Sequence, residues 1–62
     1  MNYKIINDER GLRVEGYNED GKLVYIQPFN SFTGKKFFSI EECKSYCESL
    51  GYNIVEENNM VE

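Results

Sequence analysis

Short runs rich in apolar residues, separated by polar turn-forming residues, occupy the first 27 positions, and this pattern predicts three short strands joined by two turns. Strands are expected at Tyr3–Ile6, Leu12–Tyr17 and Lys22–Gln27, where β-branched and aromatic residues are frequent. Turn-forming residues fill the intervals 7–11 and 18–21, and each interval ends in a glycine, which can adopt a positive φ. The order of strands and tight turns therefore predicts an antiparallel meander.

The length of the second turn decides which residues of the meander share a face. A three-residue loop at Glu19–Gly21 pairs Tyr17 with Leu23. We favour this register because it collects apolar residues on one face, and burial of that face fixes the register. Gly16 then falls opposite Val24, which indicates that a backbone or a ring comes close there. The core-facing set is Leu12, Val14, Val24 and Ile26, and the opposite face carries Arg13, Glu15, Tyr17, Leu23, Tyr25 and Gln27.

Residues 39–51 carry the start and stop signals of one helix. Ser39 and Glu42 form a capping box, in which each side chain is expected to accept from the backbone N–H of the other. Phe38 precedes the cap at the position of a hydrophobic staple, and Gly51 is the expected stop. Apolar residues at helical spacing form one stripe, consisting of Ile40, Cys43, Tyr46 in part, Cys47 and Leu50.

These elements predict a small α+β domain in which a three-stranded antiparallel meander packs one face on one α-helix. Residues 52–56 are expected to form either a short C-terminal strand or an extended arm. The domain is expected to span residues 1–56, followed by a frayed acidic tail at residues 57–62. The predicted core consists of Ile5, Leu12, Val14, Val24, Ile26, Phe37 or Phe38, Ile40, Cys43, Cys47, Leu50 and Ile54.

Size and charge limit the functions that the chain can have. A length of 62 residues allows one domain of marginal stability. The net charge of −4 is uneven, because residues 1–40 hold six bases and five acids while residues 41–62 hold one base and six acids. An acidic protein is not expected to bind nucleic acid directly, since nonspecific binding needs basic residues that displace counterions. It can instead bind a basic patch on another protein.

The absence of histidine removes the commonest general base and the commonest metal ligand. We therefore expect no enzyme, no cofactor and no metal site. Cys43 and Cys47, one helical turn apart, leave four interpretations open, of which buried core thiols are favoured because free cysteine is usually buried. A metal site needs two further ligands, a disulfide fits poorly within one helical turn, and neither thiol lies at the helix N-terminus where reactivity is highest.

Two surfaces are candidates for binding. The first is aromatic, and it either belongs to cross-strand packing or forms a contact surface with a polar rim. Its residues are Tyr17, Leu23, Tyr25, Phe29 and Phe32. The second is acidic and would suit a small inhibitor of a host or defence protein that mimics nucleic acid. Its residues are Glu41, Glu42, Glu48, Glu56 and Glu57. Salt distinguishes them, because only the acidic surface should lose affinity steeply as ionic strength rises.

The segment Gly21–Val24 and the stretch from Gln27 to Cys43 resemble a small hairpin-plus-helix module of phage and prophage proteins. In that module a hairpin ends in a Pro-Phe-Asn…Thr-Gly loop and leads into a capped helix of the form Phe-x-Ser-x-Glu-Glu-Ala. Cys43 takes the alanine position here, and the resemblance covers about half of the chain. It carries no catalytic residues. It implies a non-enzymatic, virion-associated or accessory viral protein whose partner is a host protein, a virion component or a glycan.

The location and the oligomeric state follow from weaker signals. The first ten residues lack the basic start and apolar core of a signal peptide, and no apolar run approaches the roughly 20 residues that cross a bilayer. We therefore expect a protein of the bacterial host cytoplasm or of the virion, without membrane association. An exposed edge strand would let two copies pair, so a homo-oligomer is left open.

Overall fold

The computed structural model describes residues 1–59 and contains one helix and six strands in that range. In chain order the elements are β1 (Asn2–Asp8), β2 (Gly11–Tyr17), β3 (Leu23–Gln27), β4 (Phe29–Asn30), β5 (Lys35–Lys36), α1 (Ile40–Leu50) and β6 (Ile54–Asn59). The predicted small α+β architecture with one helix is confirmed.

The main sheet is mixed and has four strands in the order β3-β2-β1-β6. β1, β2 and β3 are antiparallel neighbours, as the meander predicts, but β6 joins the other side of β1 in parallel orientation. Parallel neighbours require a crossover connection, and α1 lies within it. β4 and β5 form a separate two-stranded hairpin, in a segment where the sequence predicts a loop.

β6 extends beyond the domain boundary that was predicted at residue 56. It remains paired with β1 as far as Asn59, and this range includes the first three residues of the predicted frayed tail. These residues are polar and show no hydrophobic alternation. Their order depends on the ladder with β1 and on Asn7, whose side-chain amide donates to Asn59 Oδ1 at 2.9 Å. The rest of the predicted tail, residues 60–62, lies outside the described residues.

The register between β2 and β3 changes at one extra residue, Val24. The predicted loop is confirmed at its start, because the Asn18 N–H donates to the Lys22 carbonyl at 3.0 Å and Tyr17 pairs with Leu23. The next pair, however, is Gly16 with Tyr25, which leaves Val24 as a β-bulge.

The bulge reverses the predicted faces of β3. Tyr25 lies on the side of the sheet that packs on α1, here called the helix side. Val24 and Ile26 are 51% and 52% exposed, so their assignment to the core is wrong. Gly16 does mark a close approach, because a Cβ added there would lie 3.1 Å from a ring atom of Tyr3 and 3.1 Å from the Cβ of Tyr25.

Both ends of α1 agree with the signals in the sequence. Ser39 Oγ accepts from the N–H of Glu42 at 3.1 Å, and Gly51 ends the helix with a φ of 74°. The return bond differs from the predicted box, because the Glu42 carboxylate accepts from the N–H of Phe38 at 2.8 Å instead of that of Ser39. At 11 residues, α1 is neither long nor apolar enough to span a membrane, and this holds for every helix in the described part of the chain.

The core lies between α1 and the helix side of β1 and β2. Its buried residues are Ile5, Val14, Phe37, Cys43, Tyr46 and Cys47, and partly buried Tyr3, Leu12, Ile40, Tyr52 and Ile54 pack against them. Phe37 fills the core while Phe38 is exposed, so the predicted staple is not formed. Leu50 is 40% exposed, so its assignment to the core is wrong. Tyr52, just beyond the helix, packs against the core.

Two identical substitutions on neighbouring strands test the register. Val14→Ala should lower the free energy of unfolding by about 1.5–3 kcal/mol, because it removes methyl groups from a fully buried site. Val24→Ala should change it by about 0.5 kcal/mol or less, because Val24 is half-exposed on the bulge. Urea denaturation of both variants measures the difference. Equal losses of stability would place both valines in the core and contradict the bulge.

Candidate functional site

The structure separates the residues of the predicted aromatic surface. Tyr17 and Leu23 face each other across β2 and β3 on the outer face, meaning the side of the main sheet that α1 does not cover. Tyr25 lies on the helix side, where its ring meets Tyr3 edge-on at 6.4 Å and its hydroxyl donates to Gln27 Oε1 at 2.6 Å. The two tyrosines therefore cannot contact one partner on the same face.

Paired charges cover the outer face. The Arg13 guanidinium donates to Asp8 Oδ1 at 2.9 Å and to Glu15 Oε2 at 2.7 Å, and the hydroxyl of Tyr17 donates to Glu15 Oε1 at 2.5 Å. Lys4 Nζ lies 4.6 Å from the centre of the Tyr17 ring. These contacts join β1 to β2 by side chains, so Tyr17 is held in a network and is not free to rearrange around a partner.

The network shifts the pKa values of its members. The Arg13 hydrogen bond, with that of the Arg10 backbone N–H, lowers the pKa of Asp8. Burial alone would raise the pKa of Glu15, but the hydrogen bonds from Tyr17 and Arg13 outweigh it and the net pKa is lowered. The hydrogen bond to Glu15 raises the pKa of Tyr17. Both carboxylates are therefore held in their charged form, which suits stabilisation of the sheet and not proton transfer near neutral pH.

The most exposed aromatic side chains lie elsewhere, around the β4–β5 hairpin. Phe29, Phe32 and Phe38 are 46%, 66% and 84% exposed, and together they are called the phenylalanine patch below. Phe29 and Phe32 belong to the predicted aromatic surface. Phe38 was missed because the sequence places it at a staple position, and the only available signal was its adjacency to a second phenylalanine.

One buried asparagine fixes the backbone of the patch. The Asn30 side chain accepts from the N–H of Phe32 at 2.8 Å and donates to Glu42 Oε2 at 3.0 Å. The other carboxylate oxygen of Glu42 holds the N–H of Phe38, so the two backbones meet at the Asn30–Glu42 contact. The Asn30 carbonyl also accepts from the N–H of Gly34 at 2.8 Å, which closes the hairpin.

Tyr46 of α1 supports the patch from below. Its buried ring lies 5.4 Å from that of Phe32 and 5.2 Å from that of Phe37, both edge-on, and its hydroxyl shares a hydrogen bond with Ser31 at 2.8 Å. Edge-to-face contacts of this kind orient aromatic rings. Phe32 is therefore held at one edge while most of its ring faces solvent.

The predicted acidic surface is not brought together as one site. Glu42 is occupied by the hairpin, Glu56 lies 3.8 Å from Lys4, and Glu57 lies 3.1 Å from Lys44. Glu41 and Glu48 are exposed on α1. Three of the five carboxylates thus have partners within the chain, and charge that is already paired contributes less to the field that would attract a basic partner.

Cys43 and Cys47 are free thiols that are fully buried in the core, which confirms the favoured interpretation of the pair. Burial raises the pKa of Cys43 to about 12 and also raises that of Cys47. Because the thiolate is the reactive form, both groups are inert near neutral pH. Within residues 1–59, no three metal-ligating side chains of the His, Cys, Asp and Glu types cluster together.

The pH dependence of stability tests the outer network. Asp8 and Glu15 have lowered pKa values in the folded state, so their stabilisation is present above their ordinary values of 3.8 and 4.5 and is lost as the pH falls through the folded values. Glu15→Gln should lower the free energy of unfolding by about 1–3 kcal/mol at neutral pH. The gap between its melting temperature and that of the unmodified protein should narrow on acidification. Glu19→Gln, in an exposed turn, is the control, and a gap that is independent of pH would contradict the network.

Removal of the asparagine side chain tests the support of the phenylalanine patch. Asn30→Ala should lower the free energy of unfolding by about 1–3 kcal/mol, because the partly buried N–H of Phe32 and one Glu42 oxygen lose their partner. Hydrogen exchange of the Phe32 amide should accelerate. Asn53→Ala is the matched control, since the side chain of Asn53 is exposed and, among residues 1–59, makes only a long contact to Asn2 at 3.5 Å. Unchanged exchange at Phe32 in Asn30→Ala would contradict the proposed support.

The chain was compared with protein-family models, curated proteins and solved structures, and no significant match was found in any of the three. The resemblance to a phage hairpin-plus-helix module therefore stays a prediction.

Proposed function

We propose that this protein is a non-enzymatic binding module that presents the phenylalanine patch to a partner protein. The observation that carries the proposal is the combination of strong exposure with a fixed backbone. Phe32 and Phe38 are largely exposed, yet the N–H of each is held by a side chain of the same hydrogen-bonded pair, Asn30 and Glu42.

The exposure of the phenylalanine rings leaves free energy that burial against a partner could supply. A large ring left in water forgoes about 1.5–3 kcal/mol that burial would supply. In a small domain with marginal stability, two largely exposed phenylalanines close in sequence to the buried Phe37 contribute little to folding. Binding that buries the rings recovers this free energy, and aromatic residues are enriched at the centres of protein interfaces.

The fixed backbone supports the same conclusion. A loop that is ordered before binding loses less conformational entropy when the partner arrives. The Asn30 and Glu42 bonds, together with the edge-on contact of Phe32 with Tyr46, provide this order. A loop that served only as a connection would not need its aromatic side chains in water.

The resemblance of residues 21–43 supports a phage or prophage setting for the module. The partner would then be a host protein, a virion component or a glycan, and the module would act in the bacterial cytoplasm or on the particle. The distribution of the glutamates does not support the alternative of an acidic inhibitor, because Glu42, Glu56 and Glu57 each contact a different residue of the chain.

Affinity capture with a matched pair of variants tests the proposal. Tagged protein is incubated with bacterial lysate under reducing conditions at low and high salt, beside Phe32→Ser/Phe38→Ser and the control Val55→Ser, which alters a half-exposed residue on β6. We expect the unmodified protein and the control to retain the same partner at both salt concentrations. The double variant should lose it by at least about tenfold, since two buried rings contribute more than 1.4 kcal/mol.

One control makes this result specific. The melting temperature of the double variant should remain close to that of the unmodified protein, because both side chains lie largely in solvent. Retention of the partner by the double variant would contradict the role of the patch. A partner that is lost at high salt from every form of the protein would favour the acidic inhibitor instead.

A further inference from the structure

The two edges of the main sheet differ in composition. β6 carries Glu56 and Glu57, and charged residues are a common means of preventing an edge strand from pairing with another chain. β3 carries no charge over Leu23–Gln27, and three of its five side chains, Leu23, Val24 and Ile26, are exposed and apolar. The sheet is thus protected at one edge and open at the other.

Charges of opposite sign lie at the two ends of β3. The turn before the strand holds Glu19, Asp20 and Lys22, with a net charge of −1. The segment after it, residues 27–38, holds two bases, Lys35 and Lys36, and no acid. Both lysines are exposed on β5, which pairs with β4 only one residue beyond the end of β3.

We propose that the β3 edge binds a second copy of this chain, with the two β3 strands paired antiparallel around a two-fold axis. The register that pairs all five residues places Tyr25 opposite Tyr25 of the second copy. Val24 then lies opposite Ile26 of the second copy, and this apolar pair occurs twice. Cross-strand pairs of β-branched residues stabilise such ladders.

The charges select the antiparallel arrangement over the parallel one. In an antiparallel pair the start of each β3 meets the end of the other, so the acidic turn of one copy lies beside Lys35 and Lys36 of its partner. A parallel pair would bring turn to turn and lysine to lysine. Closed two-fold symmetry is also the commonest arrangement of homo-oligomers. The outer faces of the two sheets become continuous, and both helices lie on the same side.

The bulge at Val24 sets the strength of this contact. It interrupts the ladder with β2 near the start of β3 and increases the local twist, so the regular part of the edge is short. A contact of five residues is smaller than a standard protein interface. The dimer should therefore depend on concentration, with monomer and dimer in measurable exchange.

Sedimentation velocity over a range from about 10 µM to about 1 mM tests the pairing, since these concentrations bracket a weak interface. The unmodified chain, of 7.3 kDa, should approach twice that mass as the concentration rises. Val24→Lys/Ile26→Lys should raise the dissociation constant by about tenfold or more, because like charges would face each other across the axis. Val55→Lys, at the β6 edge, should leave it unchanged. Circular dichroism melts confirm that each variant is folded.

A charge exchange tests the orientation. Glu19→Lys/Asp20→Lys and Lys35→Glu/Lys36→Glu should each dimerise more weakly alone, because turn and hairpin then carry the same sign. Mixed in equal amounts, the two variants should form a heterodimer, since the turn of each variant then faces a hairpin of opposite charge. A parallel pair would also gain from this mixing, so the orientation is read from the fourfold exchange Glu19→Lys/Asp20→Lys/Lys35→Glu/Lys36→Glu. If the strands are antiparallel, this variant should dimerise with itself and not with the unmodified chain. Dimerisation with the unmodified chain and not with itself would show a parallel pair and contradict the proposed orientation.

Two outcomes overturn the proposal. One is a single-chain mass at every concentration, and the other is a dimer that the lysine substitutions on β3 leave intact. Phe32→Ser/Phe38→Ser should dimerise normally, so a failure of the phenylalanine patch to bind a partner can be distinguished from a failure of the β3 edge to pair.

Discussion

The β-bulge at Val24 is the constraint on which the arrangement of this protein depends. A strand side chain changes face with every residue, so one extra residue in β3 exchanges the faces of all residues that follow it. Tyr25 thereby reaches the helix side, where Gly16 leaves room for its ring beside Tyr3. Val24 and Ile26 are turned into solvent by the same shift. The bulge therefore determines both which β3 residue faces α1 and which β3 residues are exposed at the edge of the sheet.

The small core explains why so many contacts outside it are hydrogen-bonded. Six residues are buried between α1 and the sheet, and two of them are cysteines, which supply little apolar area. Side-chain bonds add order where the core does not reach, as with Arg13 on the outer face and Asn30 in the hairpin. Removal of one partner from such a bond costs more than the bond contributes, because a polar group is then left without a partner.

The parts of the structure that the sequence could predict are those determined by local interactions. The bounds of α1 follow from Ser39 and Gly51, whose effects extend over one turn of chain. The three-residue loop at Glu19–Gly21 is equally local. The register beyond Leu23 could not be predicted in this way, because the straight and the bulged pairing differ in whether the Tyr25 ring fits over Gly16. β6 was underestimated for a related reason, since its polar residues are ordered by the backbone of β1 and not by their own pattern.

The choice between Phe37 and Phe38 shows the same limit at the candidate site. Both are large aromatic residues directly before a helix cap, and neither the spacing nor the composition distinguishes them. Glu42 makes the difference, because its carboxylate binds the N–H of Phe38 and the amide of Asn30 together. That contact joins a hairpin to a helix across 12 positions of sequence, and it leaves the ring of Phe38 in solvent while Phe37 packs on Tyr46.

The two exposed apolar surfaces differ in what they can recognise. An edge strand offers backbone groups that any extended segment can pair with, so its selectivity has to come from side chains and charges. The phenylalanine patch offers side chains on a fixed backbone and can select a partner by shape. If β3 joins two copies, each assembly carries two patches in a fixed relation, and a partner with repeated sites would bind with higher avidity than one patch allows. A symmetric dimer can therefore give this small module more affinity than the single domain, with its core of six buried residues, can provide.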